Sequence, residues 1–560
     1  MSTGLISLDD AANQTWDVIV VGTGIGGGTF GLAMAQAGRR VLFCERGPAF
    51  QSDPVITSPS LVGGYPEESM SNAIASHKPA DLNLLQRGGR CIDALDDVGP
   101  KHTHRFLPFI GSGVGGSSAL YGMAMERFFP SDFEPRKNFP NAANNTLPEA
   151  WPISYEELGP WYSEAESLYR VRGAIDTLRA NFEQRSPLPS APPLSAGHEW
   201  LKARLSAAGL SPYRLPMACD FVPGCQSCQG YLCPRACKND SARICITPAL
   251  SKHAAQLLAN CRVTRLEASN TRVTGVVCKL PDGSTRTLRG DIVALAAGAM
   301  SSPALLLDSS SPEWPSGLAN KSGLVGRNLM RHCIDLYAIT PPDLADADAN
   351  NSQKVLAFND FYSDSTGRKL GSVQSFGRLP PVRMLFASLL DDIRHSPFAA
   401  AAPLVALAKP LLRSTLTGLE QHSLILASTM EDLPYSDNRI TTSSDGTLQI
   451  QYQLKPHELR RVAEWRRLLA TSFKSMPYRL LKQANNNQRL AHVCGTLRFG
   501  NSEQDSVLDA SNRAHGLDNL FVVDASFFPS SGGTNPSLTI AANALRVAHL
   551  LTGSQTAPTV

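Results

Sequence analysis

The stretch Asp17–Gly47, "DVIVVGTGIGGGTFGLAMAQAGRRVLFCERG", leaves few options for how the front of this chain can fold. A short apolar run predicts a buried strand, followed by a glycine turn, an amphipathic helix and a second strand that ends at Glu45. Gly22, Gly24 and Gly27 stand in the order G-x-G-x-x-G. The first glycine permits the tight turn, the second lets a pyrophosphate approach the backbone at the helix N-terminus, and the third lets helix and strand pack closely. Glu45 closes the second strand, where a carboxylate accepts hydrogen bonds from ribose hydroxyls. Alone, the glycine spacing is only a turn; in a strand-turn-helix-strand unit with the acid it reads as a dinucleotide site.

Later segments bear on which dinucleotide. The motif sits at the very front, and the next apolar strand with Ala-Gly and a helix behind it waits until "DIVALAAGAMSSPALLLDSS", Asp291 to Ser310, where Ala297 and Gly298 fall. This suits FAD better than NAD, with a flavin-binding domain assembled from separated segments and a substrate domain inserted between them. A second glycine cluster, "GSGVGGSSALYGMAMERF", runs from Gly111 to Phe128. Gly113, Gly115 and Gly116 let a loop pass hard against a planar ring, and Ser117 and Ser118 offer hydroxyls and N–H groups to phosphate or ribitol oxygens.

At 560 residues the chain is too long for one ordinary core, so two interleaved domains are expected. A formal net charge of +3 gives no basic field for nucleic acid, and a small molecule is the default partner. The N-terminus lacks a basic region followed by a long apolar run, which points to the cytoplasm. The longest apolar stretch, Ser396 to Leu416, is cut by Pro403, Lys409 and Pro410, short of the ~20 residues a membrane span needs, and is read as buried packing, with contact to a membrane surface or the roof of an apolar substrate cavity as alternatives. No transmembrane segment is expected.

The ordered series "VVGTGIGGGTFGLAMAQAG", "GSGVGGSSALYG", "WPISYEELGPWYSEAESLYRVRG", "ALAAGAMSSPALLL", "GLVGRNLMRH" and "HVCGT" with "NLFVVDASFFPSSGGTNPSLTIAANALR" resembles the glucose-methanol-choline (GMC) oxidoreductases nearly end to end. The resemblance implies a Rossmann-like α/β FAD-binding domain interleaved with a substrate domain built on an antiparallel sheet. The expected segments are 14–135, 238–335 and 490–553 for the flavin domain, and 136–237 and 336–489 for the substrate domain. "NRITTSSDGTLQIQYQLKP" predicts a hairpin of the substrate sheet turning at Asp445-Gly446, and "HELRRVAEWRRLLATSFKSM" an amphipathic helix with its arginines on the outer face. The tail "TGSQTAPTV" is expected to be disordered.

The resemblance also assigns chemistry. Oxidising an alcohol by hydride transfer to flavin N5 needs a base for the hydroxyl proton, and a histidine of ordinary pKa is suited to that work. His492 matches the family's catalytic histidine, and Asn535 its second position, where an amide orients the alcohol oxygen without competing as a base. Asp524 and Ala525, at the end of an apolar strand, and Asn535 with Pro536 are expected at the cofactor. His515 and Cys494 are read as structural. Where members that tether FAD covalently can carry a histidine, this chain has Leu120 and Tyr121, which predicts dissociable FAD. Several members have an asparagine near the ring at the position of Tyr121. The electron acceptor, whether oxygen, a quinone or a redox protein, is left open; a dehydrogenase is favoured over an oxidase. A lyase or a photodecarboxylase on the same fold is the competing reading. A flavin monooxygenase would call for a second G-x-G-x-x-G after a strand.

Six of the twelve cysteines fall between 219 and 245. Cys225, Cys228, Cys233 and Cys237 are spaced C-x2-C-x4-C-x3-C, closer to compact iron-sulfur runs than to a zinc ribbon but matching neither ferredoxin order. Sugar-dehydrogenase members of the family carry a three-iron cluster on a similar segment. Packed thiols, an iron-sulfur cluster and zinc all stay open.

Overall fold

The computed structural model describes residues 4–49, 79–99, 103–180, 182–183, 185–225, 227–341, 353–363, 368–377, 399–408, 422–485 and 492–553, with Leu390, Ile393, Leu411 and Leu490. Strand Thr15–Val21 ends in a run, Val18 to Val21, buried on both faces, which places it inside a parallel sheet. Its parallel neighbours are Val41–Cys44 and Thr285–Leu295; Gln256–Leu258 lies outside the first and Leu520–Val522 outside the second. Strand order reverses direction about Thr15–Val21, so the crevice beyond Val21 and Leu295 is the place where such a sheet binds ligands. The antiparallel strands Arg262–Ala268 and Val273–Lys279 extend this sheet from the first half of Thr285–Leu295. The helix Ile25–Gln36 is not amphipathic: it is buried on nearly all sides, because the closing helix Ser537–Thr552 packs against it as well.

The second sheet is antiparallel, in the order Tyr478–Leu481, Cys333–Ile339, Leu424–Met430, Gly371–Ser375, Leu356–Phe358 and Tyr213–Arg214. Successive side chains alternate between faces. Cys333, Tyr337 and Ile339 join Leu424, Leu426 and Val373 beneath Val462, Trp465 and Leu469 of the helix Pro456–Ser472. Ile334, Ala427, Thr429 and Gln374 face the other way, toward a large cavity. The strand Cys333–Ile339 runs through the boundary expected between 335 and 336. The fold is thus a Rossmann-like α/β unit interleaved with a unit built on an antiparallel sheet.

Three expectations need correction. The hairpin Arg439–Thr442 and Leu448–Gln451 forms, but outside the substrate sheet: it pairs in parallel with Leu95–Val98 in a separate four-stranded sheet at the cavity rim. Not all arginines of the helix Pro456–Ser472 face solvent. Arg461 is buried and donates to the carbonyls of Glu431 and Lys369, both at 2.9 Å, while Arg466 pairs with Asp335 at 2.7 Å. The described part of the stretch 396–416 is not buried packing, since Leu404, Leu407 and Leu411 are exposed; 396–398, 409–410 and 412–416 lie outside the described residues. Residues 554–560 of the tail lie outside them too. Among the described residues no helix is long and apolar enough to cross a membrane.

Candidate active site

The three glycines of the first turn answer three different steric demands. Gly22 has φ 102°, and a Cβ there would lie 2.4 Å from the Ala296 carbonyl oxygen. At Gly27 a Cβ would lie 2.1 Å from the Gly22 oxygen and 2.7 Å from Ala296 Cβ, so the helix reaches the sheet only without a side chain. At Gly24 a Cβ would meet nothing within 4 Å. Its backbone borders open space at a helix N-terminus, which is the cradle a pyrophosphate requires. The cavity there has a volume of about 1430 Å³, more than the ~300–1,000 Å³ of a pocket for one drug-sized ligand. It has room for a dinucleotide and a substrate together.

Around the cradle, several polar side chains bind protein. The Glu45 carboxylate accepts from the Thr23 N–H and hydroxyl at 3.2 and 2.5 Å, from the Gly47 N–H at 2.9 Å and from the Gly113 N–H at 3.1 Å. It ties the first glycine turn to the second glycine loop while lining the cavity. The Ser118 hydroxyl donates to the Gly115 carbonyl at 2.6 Å and accepts from the Ser241 N–H at 3.0 Å; Ser117 accepts from the Gly111 N–H at 3.0 Å. Both Asp524 oxygens are engaged, one by the Gly298 N–H at 2.9 Å and the Ser302 hydroxyl at 2.5 Å, the other by the Ser526 N–H at 2.8 Å and its hydroxyl. Tyr121 donates to the Asn239 carbonyl at 2.5 Å and presents its body to the cavity. Gly116, Ala297, Gly298, Ala525 and Pro536 line the cavity, whereas Gly115, with φ 93°, lies behind it against Ala242.

The opposite wall joins three remote segments. Met330 and Cys494 exchange paired N–H···O bonds, both 3.0 Å, which set 330–332 beside 492–494. Only glycine fits at 495: φ is 89°, and a Cβ would lie 2.4 Å from Met330 Cε and 2.7 Å from the Asn328 oxygen. Next to it His492 has φ 60°, a left-handed conformation that costs a non-glycine residue about 1–3 kcal/mol. Cys494 is a buried thiol, and His515 sits 2.9 Å from the Ser506 hydroxyl.

The hydrogen bonds of this wall fix a tautomer. His332 Nε2 lies 2.8 Å from the Gly532 carbonyl oxygen and 3.2 Å from that of Ser531; carbonyls only accept, so Nε2 carries the proton. Burial pushes His332 down to about 4, leaving it neutral at physiological pH with a lone pair on Nδ1. His492 Nδ1, 2.7 Å away, must then be the donor. In the neutral ring the lone pair of His492 is then on Nε2, 3.3 Å from Asn535 Nδ2, which is placed to donate to it. Asn535 Oδ1 is buried with no partner among the described residues. The polarity runs one way, from Asn535 to His492 to His332 to the backbone. His332 closes the matched segment "GLVGRNLMRH", yet no local pattern in the sequence assigns it this part.

The cysteine segment gathers a different set from the one its spacing suggests. Cys219, Cys225 and Cys237 hold their sulfurs within 4.8 Å of one another, with Cys219 to Cys225 at 3.7 Å and Cys225 to Cys237 at 3.2 Å. Cys233 follows at 3.5 Å from Cys237, and Cys228 lies at the edge, where Cys233 is the one cysteine that acts on it among the described residues. Hydrogen bonds from Cys219 and Cys237 hold the Cys225 thiol well below its ordinary range. Thiolates about 2.3 Å from one tetrahedral ion stand about 3.8 Å apart, and Cys219, Cys225 and Cys237 approach that spacing, with Cys233 near Cys237 outside the trio. Cys245 lies apart, 3.4 Å from the Tyr169 hydroxyl.

Comparison with known proteins agrees with this architecture. The chain is 28% identical to 6'''-hydroxyparomomycin C oxidase of Streptomyces lividus over 96% of its own length and 92% of that protein's. It is 27% identical to 2-methyl-1,2-propanediol dehydrogenase of Mycolicibacterium austroafricanum over 96% and 95%, and 24% identical to the fructose dehydrogenase large subunit of Gluconobacter japonicus over 96% and 97%. The crystal structure of pyridoxine 4-oxidase from Mesorbium loti superposes with a TM-score of 0.61 at 19% identity, over 97% of this chain and 100% of that one, a likeness of fold. Residues 16–334, more than half of the chain, and 434–544 match the two conserved regions of the GMC oxidoreductases, and the chain belongs to that family.

Proposed function

We propose that the protein oxidises an alcohol group of a small organic molecule to an aldehyde or ketone, with FAD as its dissociable cofactor. The single observation that carries this reading is the contact of His492 Nδ1 with His332, by which the neutral ring would present an unprotonated Nε2 to the cavity beside Asn535 Nδ2. A substrate hydroxyl entering between them donates to Nε2 and accepts from Asn535 Nδ2, so its proton leaves toward His492 while its oxygen stays oriented. His332 holds the other ring nitrogen of His492 as a donor throughout. Bound FAD supplies the hydride acceptor. Gly22, Gly24 and Gly27 at the helix N-terminus would hold its pyrophosphate, Glu45 would meet its ribose, and Gly116, Ser117, Tyr121, Ala297, Gly298, Ala525 and Pro536 would border the rest. The relatives' names, oxidases and dehydrogenases of hydroxylated compounds, support the reaction class.

The boundaries drawn from the sequence stand as the proposed division into flavin and substrate domains. All twelve cysteines are free, which fits a reducing cytoplasm. A dehydrogenase is favoured over an oxidase on the condition that the thiol cluster holds a redox-active iron centre apart from the flavin cradle. Its close sulfurs fit one thiolate-held ion better than an iron-sulfur cluster, and iron, zinc and acid-labile sulfide analysis of purified protein separates these outcomes. The reaction itself is tested by mixing the anaerobic holoprotein with a panel of alcohols, sugars, sterols and amino alcohols. Bleaching of the flavin by one of them is expected. A flavin that stays oxidised throughout, with carbon dioxide released from a carboxylic acid under blue light, would transfer the protein to the photodecarboxylases.

A further inference from the structure

Three lysines are buried among the described residues, and two of them are fully accounted for. Lys238 donates to the carbonyls of Ala119 and Tyr231, both at 2.7 Å. Lys369 lies between Asp132 and Glu431, 2.6 Å from the latter. Lys354 is 7% exposed and makes no hydrogen bond or ion pair with any described residue, yet it lines the same cavity as His492 and Asn535. A buried ammonium without a partner is a standing cost to the fold unless a ligand meets it.

The surroundings show what is missing. Lys354 precedes the strand Leu356–Phe358 of the antiparallel sheet, and its stem packs over Gly122, where a Cβ would lie 3.3 Å from Lys354 Cδ. The carboxylate that most affects it is Glu126, but this group is already engaged by the Tyr213 hydroxyl, by Gln374 Nε2 at 3.0 Å and by the Thr534 hydroxyl at 2.9 Å. Beside the lysine stem, Gln229 Oε1 is buried with no partner among the described residues, and Gln229 borders the same cavity. Burial pushes Lys354 down to about 8, which leaves it mostly charged at neutral pH. The cavity wall therefore offers one cation and one acceptor that no described residue satisfies.

We propose that Lys354 is an anion-binding subsite of the substrate cavity, so that the alcohol oxidised here carries a carboxylate as well as hydroxyl groups, as in a hydroxy acid or sugar acid. A single lysine balances one negative charge, which matches a carboxylate better than a phosphate dianion. Gln229 Oε1 would take a hydrogen bond from a neighbouring hydroxyl of the same molecule. The sequence between Asp343 and Gln421 shows no charged cluster, and the subsite rests on one residue that only the fold turns inward.

This inference deepens the alcohol-oxidation reading, and its test separates the two. Anaerobic flavin reduction is followed in the holoprotein with the matched pairs gluconate and sorbitol, and glycerate and glycerol, in wild type, K354M and K354R. In parallel, acetate and acetamide, which cannot be oxidised at an alcohol, are titrated against the flavin spectrum as binding probes. The acids are expected to reduce the flavin with the larger kcat/KM, and K354M to cut the acid-to-neutral ratio by about tenfold to a hundredfold. K354R should keep most of the preference, and acetate should bind to wild type but not to K354M. Equal loss on both members of each pair, together with acetate binding unchanged in K354M, overturns the subsite and leaves alcohol oxidation intact. Acetate binding that depends on Lys354 without reduction by any alcohol keeps the subsite and defeats the oxidation reading.

Discussion

The two ends of the cavity are built by opposite means. At the proposed nucleotide end the backbone would do the binding: three glycines within six residues shape a cradle, and the polar side chains around it brace loops against one another. At the proposed catalytic end side chains would do the chemistry, and they arrive from residues 332, 492 and 535, brought together by a two-residue bridge and a strained histidine. The nucleotide end tolerates little change in shape, whereas the catalytic end tolerates little change in proton polarity.

The largest effect is expected where shape is the only issue. Gly27→Val would drive a side chain into the Gly22 carbonyl, with no flexible neighbour to yield, and should abolish flavin content along with much of the soluble protein. Gly24→Ala meets no protein atom, so this variant should fold normally and bind FAD about tenfold more weakly, as read by flavin titration of the apoprotein. Equal FAD affinity in Gly24→Ala and wild type would break the comparison at this end.

Polarity is tested at His332. His332→Leu removes the acceptor for His492 Nδ1–H and should slow anaerobic flavin reduction by about 10²–10⁴-fold with flavin content unchanged, the scale of a misplaced imidazole tautomer. His332→Gln, whose amide can both donate to Gly532 and accept from His492, should recover a substantial part of the rate. A structural role alone would make the two variants alike.

His332 also leaves a thermodynamic trace. Its folded value of about 4 lies below the ~6.5 of a free imidazole, so between these pH values the unfolded chain holds a proton that the folded chain does not. Stability should therefore rise with pH across that window, by up to about 3 kcal/mol from this group. Urea unfolding at pH 4.5 and 7 should show the rise in wild type and a smaller one in His332→Gln. The smallest effect concerns the thiols: Cys219→Ser should lower bound metal per chain more than Cys228→Ser, since Cys219 belongs to the central trio and Cys228 to its edge.

The same contrast explains what could be read in the sequence. The nucleotide end was legible because its demands are local: a strand, a turn and a helix within one short stretch carry all three glycines, and each proves sterically required or open as its place in the motif implies. His492 and Asn535 were reached only through family resemblance, and the structure puts them 3.3 Å apart. His332 was missed because its part depends on the Met330–Cys494 bridge and on carbonyls near 532, which no periodicity announces. Cys219 was passed over in favour of Cys228 because sequence spacing ignores the backbone turn that folds 219 back beside 237 and 238, where Cys219 and Lys238 form an isolated bridge. The Arg461 side chain looked solvent-facing until the strands beneath the helix supplied carbonyls for it to cap.

The central claim is that His492 Nε2 takes the substrate proton from a tautomer set by its neighbours. Anaerobic stopped-flow reduction of the flavin by the best alcohol of the panel, compared between wild type and His492→Ala at equal flavin content, tests it most directly. The account predicts a loss of about 10²–10⁴-fold in the reduction rate with FAD still bound; reduction at the wild-type rate in the variant would contradict it.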